Sequence, residues 1–512
     1  MATIETTSVA LRRREVSSVE LVRAALERAD AVDGRLGAYL SRFDETALAA
    51  AARADADFAA GVDRGPLQGI PVGIKDNMFV TDGPTTAQSL VRDPAWDTSP
   101  DATAVARLKA AGAVVMGKLT LSEYAIGPSD VDAPFPRPRN PWHLGYWPGG
   151  SSSGTGVAIS GGLVFAGLGS DTAGSVRMPA AACGVSGLKP TYGRVPVSGT
   201  IPLAVSLDHV GPMGRSVWDC AAMLRVIAGH DPADDTSLRA PVPDYLADLT
   251  GPLDGVRIGV ADLDDATDPE VAAAFEDMLG VLRSLGLSTA GVTLPCYEAT
   301  IAAAKIILAA EAFAFHQRNL GLRWRDYSRA TRIRLGTGAF ASPPEVADAR
   351  RQREAARDGL EGLFRTVDVV VSPTMAVPAP RYGPDEQLDR ALIGTAARAV
   401  RYWSCAGYPA LAIPMGFSAD GLPLSVQLVA APLRESLLFR VGAAVQRATD
   451  WHLREPPLTE AGTTGNAVVT EVLAKAGIDP GEDLDAMAKA YQAHCGDVTA
   501  LRAGAGEEGD RC

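Results

Sequence analysis

Two clusters of small residues bracket an apolar run, and no other feature limits the fold so tightly. The first reads Gly149-Gly150-Ser151-Ser152-Ser153-Gly154-Thr155-Gly156, the second Gly169-Ser170-Asp171-Thr172-Ala173-Gly174-Ser175-Val176-Arg177. Glycine and serine at this density commonly mark a flexible linker. Here the residues between the clusters, 157–168, are mostly apolar, which a solvated linker would not be. Small side chains in such a setting let backbone N–H groups and hydroxyls come close to a bound molecule. The pattern reads as a site.

Lysine usage adds a second constraint. Only seven of the 48 basic residues are lysine: Lys75, Lys109, Lys118, Lys189, Lys305, Lys475 and Lys489. A buried lysine can lose its proton in a working pH range, and arginine cannot. Lys75 ends an apolar run in Gly69-Ile70-Pro71-Val72-Gly73-Ile74-Lys75-Asp76-Asn77, which singles it out.

With 47% apolar residues the chain can bury a sizeable core. Its formal net charge of −13 argues against a general nucleic-acid or membrane-surface binder. The six cysteines (Cys183, Cys220, Cys296, Cys405, Cys495 and Cys512) lack C-x-x-C spacing, and the six histidines are as dispersed. No metal site or other cofactor is expected, and Cys183 reads as a small buried residue. Arg12-Arg13-Arg14 is followed by no apolar leader segment. The expectation is a soluble, cytoplasmic protein without membrane or nucleic-acid contacts.

Ser17-Ser18-Val19-Glu20 is a capping box opening a helix to about residue 31. Further helices are expected at 45–60, 101–111, 153–161, 268–285, 299–318, 344–365 and 388–405. Strands are expected at 70–74, 113–116, 163–168, 256–260, 287–294, 367–371, 410–413 and 424–429. Five prolines between Pro134 and Pro148 exclude regular structure there. Strands alternating with helices give an α/β architecture: a large, mixed, mostly parallel sheet covered by helices on both faces. Residues 1–457 form the expected catalytic domain. Residues 458–512 form a helical extension, with helices at 466–476 and 482–495 and a frayed end; its apolar faces are expected to pack on the domain or on a second copy in a homodimer.

The stretch from Pro148 to Arg194, ending Gly184-Val185-Ser186-Gly187-Leu188-Lys189-Pro190-Thr191-Tyr192-Gly193-Arg194, resembles the signature of the amidase signature family. Weaker similarity runs from the N-terminal helix to about Arg447. The resemblance implies cleavage of carbonyl–nitrogen bonds by a Ser–cis-Ser–Lys triad: Ser175 as nucleophile, Ser151 as proton relay after a cis peptide, and Lys75 as the neutral base. It places the oxyanion among the backbone amides of Thr172, Ala173, Gly174 and Ser175, with Ser170 and Ser152 in support. Ala173 stands where most members have a second glycine. Asp171 and Arg177 read as a buried structural pair.

Three rival readings remain. Gly150-x-Ser152-x-Gly154 matches a nucleophile elbow, but no strand fits before Ser152. A glutamine-hydrolysing amidase subunit of a tRNA-dependent amidotransferase lies inside the same family. Such subunits carry a tyrosine-rich stretch after Arg-x-x-Leu-Gly, whereas Arg332-Ile333-Arg334-Leu335-Gly336 is followed here by Thr337-Gly338-Ala339-Phe340-Ala341. A dead scaffold would not need a filled triad. The expectation favours a free-standing hydrolase of a small amide or carbamate. Segments 121–138, 301–341 and 375–408 are expected to build its pocket, with Tyr124, Phe313, Phe315, Phe340, Tyr402 and Trp403 as candidate lining.

Overall fold

The computed structural model describes residues 3–458 apart from 129–130, 132 and 264–266. The chain divides into two compact units at Pro456/Pro457, and every element below belongs to the first. The expected tail helices lie outside the described residues.

One sheet of eleven strands organises the unit. Its strands are β1 (Tyr39–Arg42), β2 (Pro71–Lys75), β3 (Val114–Leu119), β4 (Ala166–Asp171), β5 (Ser186–Lys189), β6 (His209–Gly214), β7 (Arg257–Ala261), β8 (Ser288–Val292), β9 (Val369–Pro373), β10 (Ala410–Phe417) and β11 (Pro423–Ala430). They lie in the order β1-β3-β2-β4-β6-β5-β10-β11-β9-β7-β8. The mixed, helix-covered α/β sheet holds, but its parallel pairing is confined to β3-β2-β4 and β9-β7-β8. The stretch from β4 to β9 and the β1–β3 edge are antiparallel. The reason is local. Helix–strand alternation predicts parallel neighbours, whereas β10 and β11 form a hairpin closed by Ser418 N–H donating to Leu422 O at 2.8 Å.

The strands absent from the sequence pattern are β1, β5 and β6. Ser186-Gly187-Leu188-Lys189 and His209-Val210-Gly211-Pro212-Met213-Gly214 hold glycine and proline, which weaken strand propensity. Both are nonetheless fully buried inside the sheet, where packing overrides propensity. Helices Ile4–Arg12, Val217–Ile227 and Glu435–Ala448 also lie outside the expected set.

The main core fills the space between sheet and helices, with Val72, Leu168, Leu188, Leu411 and Val426 at 0% exposure. The helix Tyr297–Arg323 is long and apolar enough to cross a membrane by length and composition, with a mean hydropathy of 1.4. It packs against helices Pro343–Leu363 and Arg398–Ala406.

Two features of this fold create the site. Parallel β2 and β4 run side by side with Ile74 opposite Leu168, so Lys75 and Ser170 lie together at the carboxyl ends of neighbouring strands. Helices Ser153–Ser160 and Arg177–Cys183 flank β4 in sequence, which brings both small-residue clusters to its carboxyl end. Crevices outside the carboxyl ends of strands are where open α/β sheets bind ligands.

Candidate active site

Lys75 is wholly buried. Its Nζ lies 2.8 Å from Ser151 Oγ and 2.8 Å from Ser170 Oγ. Asn77 Nδ2 also donates to Ser170 Oγ, at 3.1 Å. No carboxylate pairs with this amine among the described residues. Burial therefore dominates and lowers its pKa to about 7, against the weaker opposing fields of Asp171 and Asp208. A lysine so placed is neutral for part of the time near neutral pH.

The Gly150–Ser151 peptide is cis. Ser152 hydrogen-bonds Ser170 through its hydroxyl, donating to the carbonyl at 3.2 Å and accepting from the amide at 3.2 Å. Its backbone N–H donates to Ser175 O at 3.1 Å. Ser151 and Ser175 face one cavity of about 350 Å³, with Thr172 and Ala173 beside them. The strand-then-helix setting of a nucleophile elbow is absent at Ser152. It occurs at Ser175, between β4 and Arg177–Cys183.

The turn 171–176 is held from behind. Asp171 Oδ1 accepts from Gly174 N–H at 2.7 Å and Asp171 Oδ2 from Val176 N–H at 3.2 Å. Burial alone would raise the Asp171 pKa, but the Arg177 guanidinium 3.0 Å away outweighs it and holds the carboxylate ionised. Arg177 also donates to Gln427 Oε1, Val400 O and Ser404 Oγ. The expected structural pair is thus the brace of the turn. It also changes the oxyanion reading. The Gly174 amide is committed to Asp171, so the amides of Thr172, Ala173 and Ser175 are the ones left without an acceptor among the described residues. Gly174 has a different role: at φ +110° it makes the turn, and a Cβ there would collide with Val400 Cγ2.

Sequence reasoning missed Asn77 and Asp208. Asp208 accepts from Thr172 Oγ1 at 2.5 Å and from the amides of Leu203 and Ala204. Burial raises its pKa to about 6 despite these bonds. Nothing in its local sequence marks it, because its partner lies 36 residues away. Cys183 is buried, its thiol held protonated by desolvation, as expected of a packing residue.

Segments 121–138, 301–341 and 375–408 do wall the cavity, but none of the six aromatic candidates is in its lining. Tyr124, Tyr402 and Trp403 are core, whereas Phe315 is exposed and Phe340 is 85% exposed. Phe313 packs on the Tyr124 cluster. The walls are instead Ile126, Trp147, Met178, Leu308 and Ile393, interrupted by Lys305, Arg334, Arg390 and Arg401. Helix phase explains the error: one residue turns a helix by about 100°, so Arg401 reaches the cavity while Tyr402 and Trp403 face the core.

This geometry has counterparts. Residues 20–439 match the Amidase family model. The chain belongs to the amidase signature family. A glutamyl-tRNA(Gln) amidotransferase subunit from Roseiflexus castenholzii is 41% identical over 480 residues, spanning 88% of this chain and 97% of its own. Among solved structures, a vestigial protein complex linked to the origins of an s-triazine catabolic enzyme aligns with TM-score 0.81 and 33% identity, covering 87% of this chain and 98% of its own. A glutamyl-tRNA(Gln) amidotransferase subunit from Thermotoga maritima aligns with TM-score 0.73 and 30% identity, covering 88% and 95%. For this amidase signature chain the relatives overturn one expectation. A lone enzyme on a small amide, with no nucleic acid and at most a homodimer, does not fit near-full-length relatives whose name couples them to tRNA.

Proposed function

We propose that this chain is the amidase subunit of a tRNA-dependent amidotransferase, releasing ammonia from glutamine for a partner subunit that acts on tRNA. The observation that carries this reading is identity of 38–41% to glutamyl-tRNA(Gln) amidotransferase subunits over 96–97% of their length. The strongly acidic balance of this chain fits a subunit whose tRNA contacts are made by its partners, since phosphate binding draws on basic surface.

The chemistry proceeds by an acyl-enzyme. Ser175 Oγ attacks the amide carbonyl and gives its proton to Ser151, whose own proton passes to neutral Lys75. The amides of Thr172, Ala173 and Ser175 stabilise the oxyanion. Collapse expels ammonia, which takes a proton from Ser151 as Lys75 returns one. Water then attacks the ester through the same relay, frees the acid and restores Ser175. Ser170 and Asn77 keep the Lys75 amine aimed at Ser151.

The test is ammonia release from glutamine by the full chain, alone and co-expressed with the remaining amidotransferase subunits, with and without glutamylated tRNA. Stable association and stimulation by tRNA are expected. Failure to associate, with turnover indifferent to tRNA, would overturn the assembly reading and leave the amidase chemistry standing.

A further inference from the structure

The wall of the catalytic cavity carries Lys305, Arg334, Arg390 and Arg401 and, among the described residues, no aspartate or glutamate. Arg334 and Arg401 are only partly exposed. Neither side chain hydrogen-bonds or pairs with a carboxylate among the described residues. Burial and like charge act on Arg334 together: desolvation and the fields of Arg390 and Arg401 all disfavour its charged form. Arg401 is disfavoured in the same way by burial and Arg398. Glu298, the carboxylate whose field reaches Lys305, is itself engaged by Arg398. Gly127 completes the arrangement. A Cβ on it would overlap the Arg334 guanidinium, so the missing side chain leaves room for that group beside the pocket.

Guanidinium groups that are partly desolvated and unpaired are costly unless an anion completes them. A carboxylate is the anion that matches their planar fork. We infer that the site selects amides whose acyl part carries a carboxylate, held by Arg334 and Arg401, and that the described wall offers no carboxylate for an ammonium beside it. This rests on the reading of Ser175 as nucleophile and refines it to a substrate class: monoamides of dicarboxylic acids. Glutamine belongs to the class through its α-carboxylate, and its α-ammonium gains no partner from the described wall.

The experiment compares kcat/KM of the full chain for glutaramate, glutamine and butyramide, with fluorophosphonate labelling of Ser175 measured in parallel. Glutaramate is expected to match or exceed glutamine and to exceed butyramide by about 100-fold. Arg334→Gln and Arg401→Gln should each cut the glutaramate-to-butyramide ratio by about tenfold or more, and Arg334→Lys by less. Intact labelling with butyramide within threefold of glutaramate overturns the inference alone. So does a glutamine preference above tenfold over glutaramate, or a ratio that survives both substitutions. A wild-type chain that is not labelled at Ser175 overturns the amidase reading and this inference together.

Discussion

At the floor of the cleft, Lys75, Ser151, Ser152 and Ser170 are bonded to one another within 3.2 Å; at the rim, Arg334 and Arg401 have no such partners among the described residues. The floor is small side chains on strand ends, fixed by the sheet. The rim is long side chains on helices, and one residue of helix phase decides what each touches. A preorganised floor suits a reaction whose transition state must be met by fixed dipoles. A rim of unmatched charge suits recognition, because only the right ligand completes it.

The largest expected break falls on the floor. Ser175→Ala should remove turnover by on the order of 10^5-fold or more while the protein stays folded, read by steady-state ammonia release and circular dichroism. Lys75→Arg keeps the charge but removes the base proposed for the reaction, and kcat should fall by about 10^2 to 10^4. In the wild type, kcat/KM should rise with pH through about 7, where the buried amine gives up its proton.

The same lysine makes a stability prediction. Its folded pKa lies below the ordinary 10.5, so between about pH 7 and 10.5 the unfolded chain holds the extra proton, and its contribution to stability rises with pH there. Lys75→Met, read by denaturant melts, should therefore gain most over wild type below pH 7 and lose that advantage as pH approaches 10.5. Removing this side chain therefore gains stability while it costs activity, although both rise with pH in the wild type.

Behind the floor the effects are structural. Lys118, on the strand next to Lys75, is also fully buried, but it pairs with Asp76 at 3.0 Å and donates to Met78 O and Thr85 Oγ1. Lys118→Met would strand a buried carboxylate and should cost about 3–5 kcal/mol by chemical denaturation. Phe340→Ala marks the small end of the scale: at 85% exposure its effect on stability should stay within about 0.5 kcal/mol, although its segment does help to wall the cleft.

Those two lysines also show how far the sequence can be read. Scarcity of lysine draws attention to Lys75, and three of the five among the described residues are fully buried: Lys75, Lys118 and Lys189. What separates them is the partner, and partners come from distant segments. Lys75 finds hydroxyls 76 and 95 residues away. Motif residues on strand ends are legible because glycine and serine announce close backbone approach. β5 and β6 are not, since their glycines and Pro212 argue locally for a turn and only burial on both faces makes them strands. The commitment of Gly174 N–H to Asp171 is equally hidden, because a turn sequence does not say which amides look inward.

The hydrogen bond from Arg177 to Val400 O, at 2.7 Å, joins the turn that carries Ser175 to the helix that carries Arg401. Adjacent positions thereby hold separate duties: the backbone of 400 anchors, while the side chain of 401 meets the cavity. A backbone carbonyl survives substitution of any neighbouring side chain. The preference for one acyl group over another is in this way modular. An engineer, or natural drift, can rewrite position 401 to accept a different amide while the reactive hydroxyl keeps its place.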